Sequence, residues 1–219
     1  MDYTRLKAVI FDLDGTLLDT LVDITTCIHT ALSHYGIPHE MPGFESPIYA
    51  GGLRSIMEGT LTEETPSEEM DKAEAFYLNL YREKCVEHTT CYPHVRETLS
   101  ALHEKGLKLG VITNKTETIA QKIIGHFYPE IPFEMVWGNN FVRPLKPAAD
   151  VGVEACQLLA LENTEVAFVG DSVSDMRFAK NAGFYALGAG WGYMGKEALL
   201  GAGADEIMPD PLDIPELFK

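Results

Sequence analysis

The sequence predicts an α/β protein in which a Rossmann-like, mostly parallel sheet forms the core and an all-helical cap is inserted into it. Three observations support this prediction. From residue 93 onward, short apolar runs alternate with segments of helical periodicity, which is typical of parallel strands joined by helical crossovers. Residues 19–86 contain helical stretches and no convincing strand. The length of 219 residues is sufficient for one domain with a small insertion.

The first strand is predicted over residues 7–11, because its β-branched and aromatic residues fit a strand that is buried on both faces. Asp12 and Asp14 follow this strand directly, and Gly15 permits a tight turn. In open α/β sheets, ligands bind outside the carboxyl ends of the strands, so these two acids occupy a position where chemistry is usually done. The alternative at this point is an Asp-Gly turn that only reverses the chain.

The inserted helical unit is predicted over residues 19–86, which leaves residues 1–18 and 87–219 for the α/β core. Apolar residues recur at helical spacing in three stretches, which are residues 21–35, 53–61 and 67–84. The unit contributes half of the formal net charge of −16. We therefore interpret it as a solvated cap, or lid, without a nucleic-acid-binding face.

Helices and strands alternate in the rest of the chain. We predict strands over residues 107–112, 134–137, 165–169, 184–187 and 206–208. The intervening helices are predicted to include residues 95–102, 117–126 and 151–159, with a fourth that ends near residue 181. Pro147 is placed in the first turn of the third of these helices, where proline is tolerated.

Polar side chains follow three of the predicted strands and precede one helix. They are Asp12 and Asp14, Thr113 and Asn114, Asp171 and Asp175, and Lys146 before the helix. Hydroxyl, amide and ammonium groups can hold phosphoryl oxygens, clustered carboxylates can hold Mg²⁺, and an aspartate can be a phosphoryl-accepting nucleophile. Taken singly, each group is more typical of a helix cap, a solvated loop or a turn. Their order along the chain is therefore the informative feature.

In that order the groups form four motifs, and with them the chain resembles the haloacid dehalogenase superfamily of phosphotransferases. The motifs are FDLDGTL at residues 11–17, VITN at residues 111–114, Lys146-Pro147, and GDSVSD at residues 170–175. The resemblance covers nearly the whole chain, and the first and last motifs are specific when they occur together. The inserted helical unit is similar to the helical cap of the phosphoglycolate phosphatase branch.

The resemblance implies a role for each motif residue. Asp12 would attack phosphorus in line, and Asp14 would protonate the leaving alkoxide and later take a proton from water. Mg²⁺ would be bound by Asp12, by the backbone carbonyl of Asp14, and by Asp171, with Asp175 ligating it or orienting a bound water. The charge on the transferring phosphoryl group would be neutralised by Thr113, Asn114 and Lys146. Thr16 would stabilise the loop that follows the first strand.

Two positions favour phosphoryl chemistry over dehalogenation. Residue 14 is an aspartate, whereas the dehalogenases of the superfamily differ there and need no acid for an alkoxide leaving group. Thr16 is more similar to the phosphatases than to the sugar phosphomutases. We therefore expect a Mg²⁺-dependent phosphatase acting on a small phosphorylated metabolite of the phosphoglycolate type. The alternatives are a phosphomutase, a pyrophosphatase, a non-catalytic binder of phosphometabolites, and a structural or partner-binding module.

Substrate choice is expected to lie in the cap, since the core contacts only the phosphoryl group. The loop at residues 49–54 is the candidate, because Gly51 and Gly52 allow close backbone approach and Arg54 can pair with a substrate carboxylate. The alternative is a glycine-containing helix start beside a surface arginine. His94 replaces a small residue of the family before the helix at residue 95, so substrate details are not carried over.

Composition restricts the possible partners and the location. The acidic balance argues against binding nucleic acid or an anionic membrane surface, and the absence of a long apolar run or secretory signal indicates a soluble cytoplasmic protein. It is expected to be a monomer or homodimer. The four cysteines suggest no disulfide framework. The regular spacing of Cys85, His88, Cys91 and His94 leaves open a zinc site, although it departs from the usual ligand patterns.

Overall fold

The computed structural model describes residues 3–43, 46 and 52–218. Its strands are β1 (Ala8–Phe11), β2 (Leu18–Asp19), β3 (Thr90–Cys91), β4 (Lys108–Thr116), β5 (Phe133–Asn139), β6 (Val166–Gly170), β7 (Tyr185–Ala189) and β8 (Glu206–Met208). Six of them form one sheet in the order β5-β4-β1-β6-β7-β8, and all of its pairings are parallel. The predicted fold class is confirmed.

Strand β1 lies at the centre of the sheet, between β4 and β6. All four of its residues are buried, and successive side chains point to opposite faces, as the pleat requires. Val9 and Phe11 pack into a core shared with the cap helices and the helices on one face. Ala8 and Ile10 pack into a second core on the other face. This burial on both faces explains the uninterrupted apolar run in the sequence.

The helices are α1 (Leu21–His34), α2 (Leu53–Gly59), α3 (Ser67–Lys84), α4 (Val95–Glu104), α5 (Glu117–Phe127), α6 (Asp150–Leu159), α7 (Val173–Ala182), α8 (Lys196–Gly201) and α9 (Asp213–Glu216). The periodicity of apolar residues predicts the longer helices well. It misses α8 and α9, because each is too short to show a repeating apolar face. Among the described helices, none has the length and apolar character needed to cross a membrane.

Two predictions near the strand ends are wrong. Helix α6 begins at Asp150, so Pro147 lies before the helix and not in its first turn. The side chain of Asn114 bonds both backbone polar groups of Lys146, which holds residues before α6 as a loop. Strand β4 continues to Thr116, and a register shift between Ile112 and Thr116 interrupts its pairing with β5. Residues 113 and 114 therefore lie in an irregular part of the strand and not after it.

The three cap helices, α1 to α3, lie between the two segments in which the chain leaves the core and returns to it, and each of these segments contains a short strand. Strand β2 leads from the core into α1, and β3 lies between the end of α3 and the start of α4. The two strands pair antiparallel, with Leu18 opposite Cys91 and Asp19 opposite Thr90. The sequence does not reveal this ribbon, because two-residue strands carry no periodic signal. The cap boundaries at residues 19 and 86 stay a prediction.

A buried carboxylate in α1 holds the segment in which the chain returns from the cap to the core, at His88 and Thr89. Asp23 is 2% exposed, and its oxygens accept hydrogen bonds from the backbone N–H groups of His88 (3.0 Å) and Thr89 (2.9 Å). They also accept from Thr89 Oγ1 at 2.8 Å and contact His88 Nδ1 at 2.9 Å. One side chain thus satisfies several polar groups of the linker between cap and core.

We predict that Asp23→Ala lowers the free energy of unfolding by about 3 kcal/mol, because buried donors of the linker would lose their acceptor. Urea denaturation followed by circular dichroism measures this change. Glu83→Ala, at an exposed position of α3, is the matched control and should shift the free energy by no more than about 0.5 kcal/mol. Equal effects of the two substitutions would contradict the assigned role of Asp23.

Candidate active site

The loop after β1 places Asp12 and Asp14 at the carboxyl edge of the sheet. Asp12 continues the strand through a hydrogen bond from its N–H to the Val169 carbonyl, at 2.8 Å. The chain then turns at Gly15, whose φ is +77°. A Cβ atom at Gly15 would lie 2.2 Å from Asp171 Oδ2. Glycine is therefore needed here both for its backbone conformation and for the close approach of the two loops.

Three aspartates converge at this edge. One carboxylate oxygen from each of Asp12, Asp171 and Asp175 lies within 4.8 Å of the others, and all three residues are buried. They follow β1 and β6, which are neighbouring parallel strands. The structure therefore brings Asp12 of the first sequence motif together with both acids of the last motif, consistent with the parallel pairing of β1 and β6.

Asp171 and Asp175 are held by hydrogen bonds from different parts of the chain. Asp171 Oδ1 accepts from Thr16 Oγ1 at 3.1 Å, and its Oδ2 accepts from the Tyr193 N–H at 2.8 Å. Asp175 Oδ2 accepts from the N–H and hydroxyl of Ser172, at 3.0 and 2.6 Å. Ser172 also caps α7, since its hydroxyl accepts from the Asp175 N–H. Thr16 thus fixes a site carboxylate as well as its own loop.

The ammonium group of Lys146 contacts two of the three acids, Asp12 and Asp175. Its Nζ lies 2.6 Å from Asp175 Oδ1, 3.0 Å from the Ile112 carbonyl oxygen and 2.7 Å from Asp12 Oδ1. The contact with Asp12 is an ion pair without hydrogen-bond geometry. Within the described part of the chain, Asp12 Oδ1 is consequently buried without a hydrogen-bond donor.

Burial and the repulsion from neighbouring carboxylates oppose ionisation of Asp12 and Asp171. Burial, followed by the Asp175 carboxylate, raises the pKa of Asp12 to about 7, and Lys146 opposes the shift. Burial, followed by Asp175 and Asp12, raises the pKa of Asp171 well above its ordinary value. For Lys146, burial lowers the pKa, but the carboxylates of Asp12 and Asp175 outweigh it and the pKa is raised. One ammonium does not fully offset three buried carboxylates.

This environment fits a divalent metal ion. The ligand atoms are carboxylate oxygens, which Mg²⁺ prefers, and Asp12 Oδ1 still has a lone pair without a donor. Additional positive charge would also relieve the repulsion among Asp12, Asp171 and Asp175. The implied metal contact of Asp14 concerns its backbone carbonyl and stays a prediction, since its carboxylate points elsewhere.

The side chain of Asp14 is oriented by two groups that sequence reasoning did not identify. Its Oδ1 accepts a hydrogen bond from Thr20 Oγ1 and lies 3.0 Å from Lys115 Nζ. Lys115 also donates to the hydroxyl of Tyr81, on the cap helix α3, at 2.8 Å. Lys115 follows Asn114 directly in the sequence and was therefore detectable by its position, whereas nothing local points to Thr20 or Tyr81.

Thr113 and Asn114 lie beside the acids but differ in their contacts. Thr113 is buried, and its Oγ1 accepts from the Lys115 N–H at 3.3 Å, so its hydroxyl hydrogen remains available to a ligand. The Asn114 side chain donates to the Lys146 carbonyl oxygen at 3.0 Å and accepts from the Lys146 N–H at 2.8 Å. Asn114 therefore fixes the position of the Lys146 backbone. The phosphate-binding role predicted for Asn114 did not include this contact.

A cavity of about 380 Å³ connects these groups to the cap. The residues predicted from the sequence to form the site, in both the core and the cap, line this cavity. They are Asp12, Asp14, Gly52, Arg54, Thr113, Asn114, Lys146, Asp171 and Asp175. Arg54, however, donates to Glu58 at 2.7 Å, Asp71 at 2.6 Å and Glu74 at 3.2 Å. These acids already occupy the guanidinium that was expected to meet a substrate carboxylate. The other candidates of that loop, Tyr49 to Gly51, lie outside the described residues.

The alternative zinc site is not assembled. Cys85 is buried, whereas His88 is turned toward Asp23 and His94 contacts Asp210 at 2.9 Å. Over residues 3–43, 46 and 52–218, the group able to share a metal ion consists of Asp12, Asp171 and Asp175. Despite their regular spacing between residues 85 and 94, these cysteine and histidine side chains contact different parts of the structure and do not share a site.

Comparisons with known proteins agree with this geometry. Residues 9–189 match the model of the haloacid dehalogenase-like hydrolases. The chain is 32% identical to a phosphoglycolate phosphatase from Chromobacterium violaceum, over 100% of this chain and 99% of the relative. It is 30% identical to an N-acetylmuramic acid 6-phosphate phosphatase from Pseudomonas aeruginosa, over 100% of this chain and 97% of the relative.

A solved structure shows the same architecture. The crystal structure of a predicted phosphoglycolate phosphatase from Haemophilus somnus superposes with a TM-score of 0.89, at 28% identity and with 98% of each chain covered. The family resemblance inferred from the four motifs is thereby confirmed, including the hydrolase class. The chain therefore belongs to the haloacid dehalogenase-like hydrolases.

Proposed function

We propose that this hydrolase is a Mg²⁺-dependent phosphatase that cleaves small phosphomonoesters through a transient phosphoaspartate at Asp12. The observation that carries the proposal is the convergence of Asp12, Asp171, Asp175 and Lys146 in one cavity. This convergence supports the assignment of Asp12 as nucleophile, of the three carboxylates as metal ligands and of Lys146 as the cation that neutralises the phosphoryl group. Bound by the three aspartates, Mg²⁺ would supply the charge that admits an anionic ester among carboxylates.

The first chemical step assigns one role to each of the two loop acids. A carboxylate oxygen of Asp12 attacks phosphorus, a new P–O bond forms to Asp12, and the bond to the leaving alcohol oxygen breaks. Asp14 gives its proton to that oxygen. Thr20 and Lys115 hold Asp14 Oδ1, which leaves its other oxygen for proton exchange.

The second step reverses the part played by Asp14. It takes a proton from water, the water oxygen attacks phosphorus, and the P–O bond to Asp12 breaks to release inorganic phosphate. Lys146 and the Thr113 hydroxyl neutralise charge on the phosphoryl oxygens in both steps. Asn114 contributes by fixing the backbone of Lys146. The cap limits access of other water, since Tyr77 and Tyr81 of α3 form part of the cavity wall.

The relatives support a phosphorylated metabolite as the substrate. Their names identify phosphoglycolate and N-acetylmuramic acid 6-phosphate as substrates of those proteins, and both compounds are phosphomonoesters. Phosphoglycolate is the first compound to test on this chain.

We predict that Asp12→Asn lowers kcat by at least about 10³-fold, because a neutral amide cannot accept the phosphoryl group. Release of inorganic phosphate from phosphoglycolate in Mg²⁺ measures this loss. Acid-quenched single turnovers with ³²P-labelled ester should leave label on wild-type protein and none on the variant. Asp150→Asn, at an exposed position of α6, is the control and should retain activity. An isomerised ester in place of free phosphate would indicate a mutase, and binding without turnover would indicate a sensor.

A second prediction concerns stability in the absence of metal. The pKa values of Asp12 and Asp171 are raised in the fold, so the folded chain retains protons that the unfolded chain releases as pH rises above about 4. We therefore predict that these groups make the EDTA-treated protein less stable at pH 8 than at pH 5.5. Thermal unfolding at both pH values measures the difference.

Addition of Mg²⁺ should reverse this dependence, because the metal binds the ionised carboxylates. At about 100 times its Kd, Mg²⁺ should stabilise the fold at pH 8 by about 2.7 kcal/mol, with a smaller gain at pH 5.5. Asp171→Asn is the matched variant: it should be less sensitive to pH in EDTA and gain less from Mg²⁺. Equal stabilisation of wild type and variant would contradict a metal site at these aspartates.

A further inference from the structure

The loop at residues 139–143 presents a large apolar side chain beside the catalytic groups. Phe141 has a φ of +64°, and 73% of its surface is exposed. A bulky residue rarely adopts this left-handed conformation, which costs about 1–2 kcal/mol. Conformations of this kind persist where the surrounding structure enforces them, and they concentrate at functional sites.

Side-chain hydrogen bonds enforce this backbone. The Phe141 N–H donates to Asn139 Oδ1 at 2.9 Å. The N–H groups of Val142 and Arg143 donate to Asn140 Oδ1 at 3.0 and 2.9 Å. Two consecutive asparagines thus build the turn that carries the exposed ring.

The base of the loop is fixed by Arg143. Its guanidinium donates to Glu117 at 2.9 Å and Glu154 at 2.8 Å, and it lies 4.4 Å from the ring centre of Trp137. The tip is therefore an apolar surface on an anchored support. A ligand that covers the Phe141 ring would remove apolar area from water, which is favourable.

Phe141 lies at the cavity, so a ligand bound there can contact its ring. Phe141 and Leu145 line the same cavity as Asp12, Thr113 and Lys146, whereas Val142, which is 85% exposed, does not. The cap contributes further apolar side chains to this cavity, among them Leu53, Ile56, Tyr77 and Leu78. The cavity thus has a polar phosphoryl end and walls of mainly apolar character.

The charges in the cavity argue against a second anionic group on the substrate. Within the described lining, Lys146 pairs with Asp12 and Asp175, Lys115 pairs with Asp14, and Arg54 pairs with three acids. Each cation thus already has at least one carboxylate neighbour. A carboxylate on the leaving alcohol would have to displace one of these pairs.

The size of the cavity also exceeds the need of a two-carbon acid. A volume of about 380 Å³ falls within the range, about 300–1,000 Å³, of pockets that enclose drug-sized ligands. Space beyond the phosphoryl group is therefore available for a leaving alcohol with several carbon atoms.

We propose that Phe141 is a specificity-determining residue that packs against the leaving alcohol, and that the preferred substrates are phosphomonoesters whose alcohol is neutral and has an apolar face. The proposal rests on the proposed phosphatase function and names its substrate class. The alcohol lies between the apolar cap side chains and Phe141 while its phosphoryl group is held at Asp12.

Benzyl phosphate is the probe and phosphoglycolate is the reference ester. Both release an alkyl-type alcohol, so a difference between them reports contacts of the alcohol and not an activated leaving group. Wild-type protein should show a higher kcat/KM on benzyl phosphate than on phosphoglycolate. Phe141→Ala should lower kcat/KM on benzyl phosphate about 10-fold and change that on phosphoglycolate less than about twofold.

Two further variants separate ring contact from general disturbance of the loop. Val142→Ala removes the adjacent exposed side chain that does not line the cavity, and should leave both esters unaffected. Phe141→Trp retains an apolar ring, and should keep kcat/KM on benzyl phosphate within about threefold of wild type. Similar effects of Phe141→Ala and Val142→Ala would overturn the proposal.

The outcomes distinguish this inference from the function on which it rests. If wild type hydrolyses both esters and Phe141→Ala changes both equally or neither, the specificity inference is wrong and the phosphatase function stands. A wild-type preference for phosphoglycolate over benzyl phosphate also overturns the inference alone. If wild type hydrolyses neither ester, the inference fails together with the phosphatase function for these esters.

Discussion

The structure depends on an electrostatic imbalance at the carboxyl end of β1. Asp12, Asp171 and Asp175 are buried within reach of one another, and the Lys146 ammonium contacts two of them, Asp12 and Asp175. Burial of like charges is unfavourable unless a counter-charge is present. The same imbalance opposes stability in the metal-free chain, and a bound divalent cation would relieve it. In the proposed function, stability and catalysis are therefore coupled through these few groups.

Backbone features make this concentration of charge possible. Gly15 and Gly192 both stand against Asp171, where a Cβ atom would lie 2.2 Å from one of its side-chain atoms. Asn114 fixes Lys146 through two hydrogen bonds to its backbone, and Ser172 fixes Asp175 at the start of α7. Such support restricts the site geometry to a narrow range, which the in-line attack of the proposed mechanism would require.

Both the cap and the core contribute side chains to the cavity, and their contributions differ from those that the sequence suggested. Arg54, the cap cation that the sequence suggested for substrate recognition, bridges α2 to α3 through Asp71 and Glu74 and pairs with Glu58 within α2, and thus supports the cap itself. The exposed apolar side chain beside the cavity comes instead from the core, at Phe141. Lys115 and Tyr81 connect the two units next to Asp14. Recognition of the leaving group is therefore expected to involve both sides of the cavity.

The sequence by itself determined the fold class, the longer helices and the set of acids at the sheet edge. Periodicity specifies which faces are buried, and parallel topology requires that Asp12 and Asp171 meet, since β1 and β6 are neighbours. Tertiary structure alone decided the partners of individual side chains: Arg54 among acids, Asn114 on the Lys146 backbone, and Phe141 at the cavity. These contacts join residues far apart in the chain, and no local pattern encodes which distant group a flexible side chain will reach.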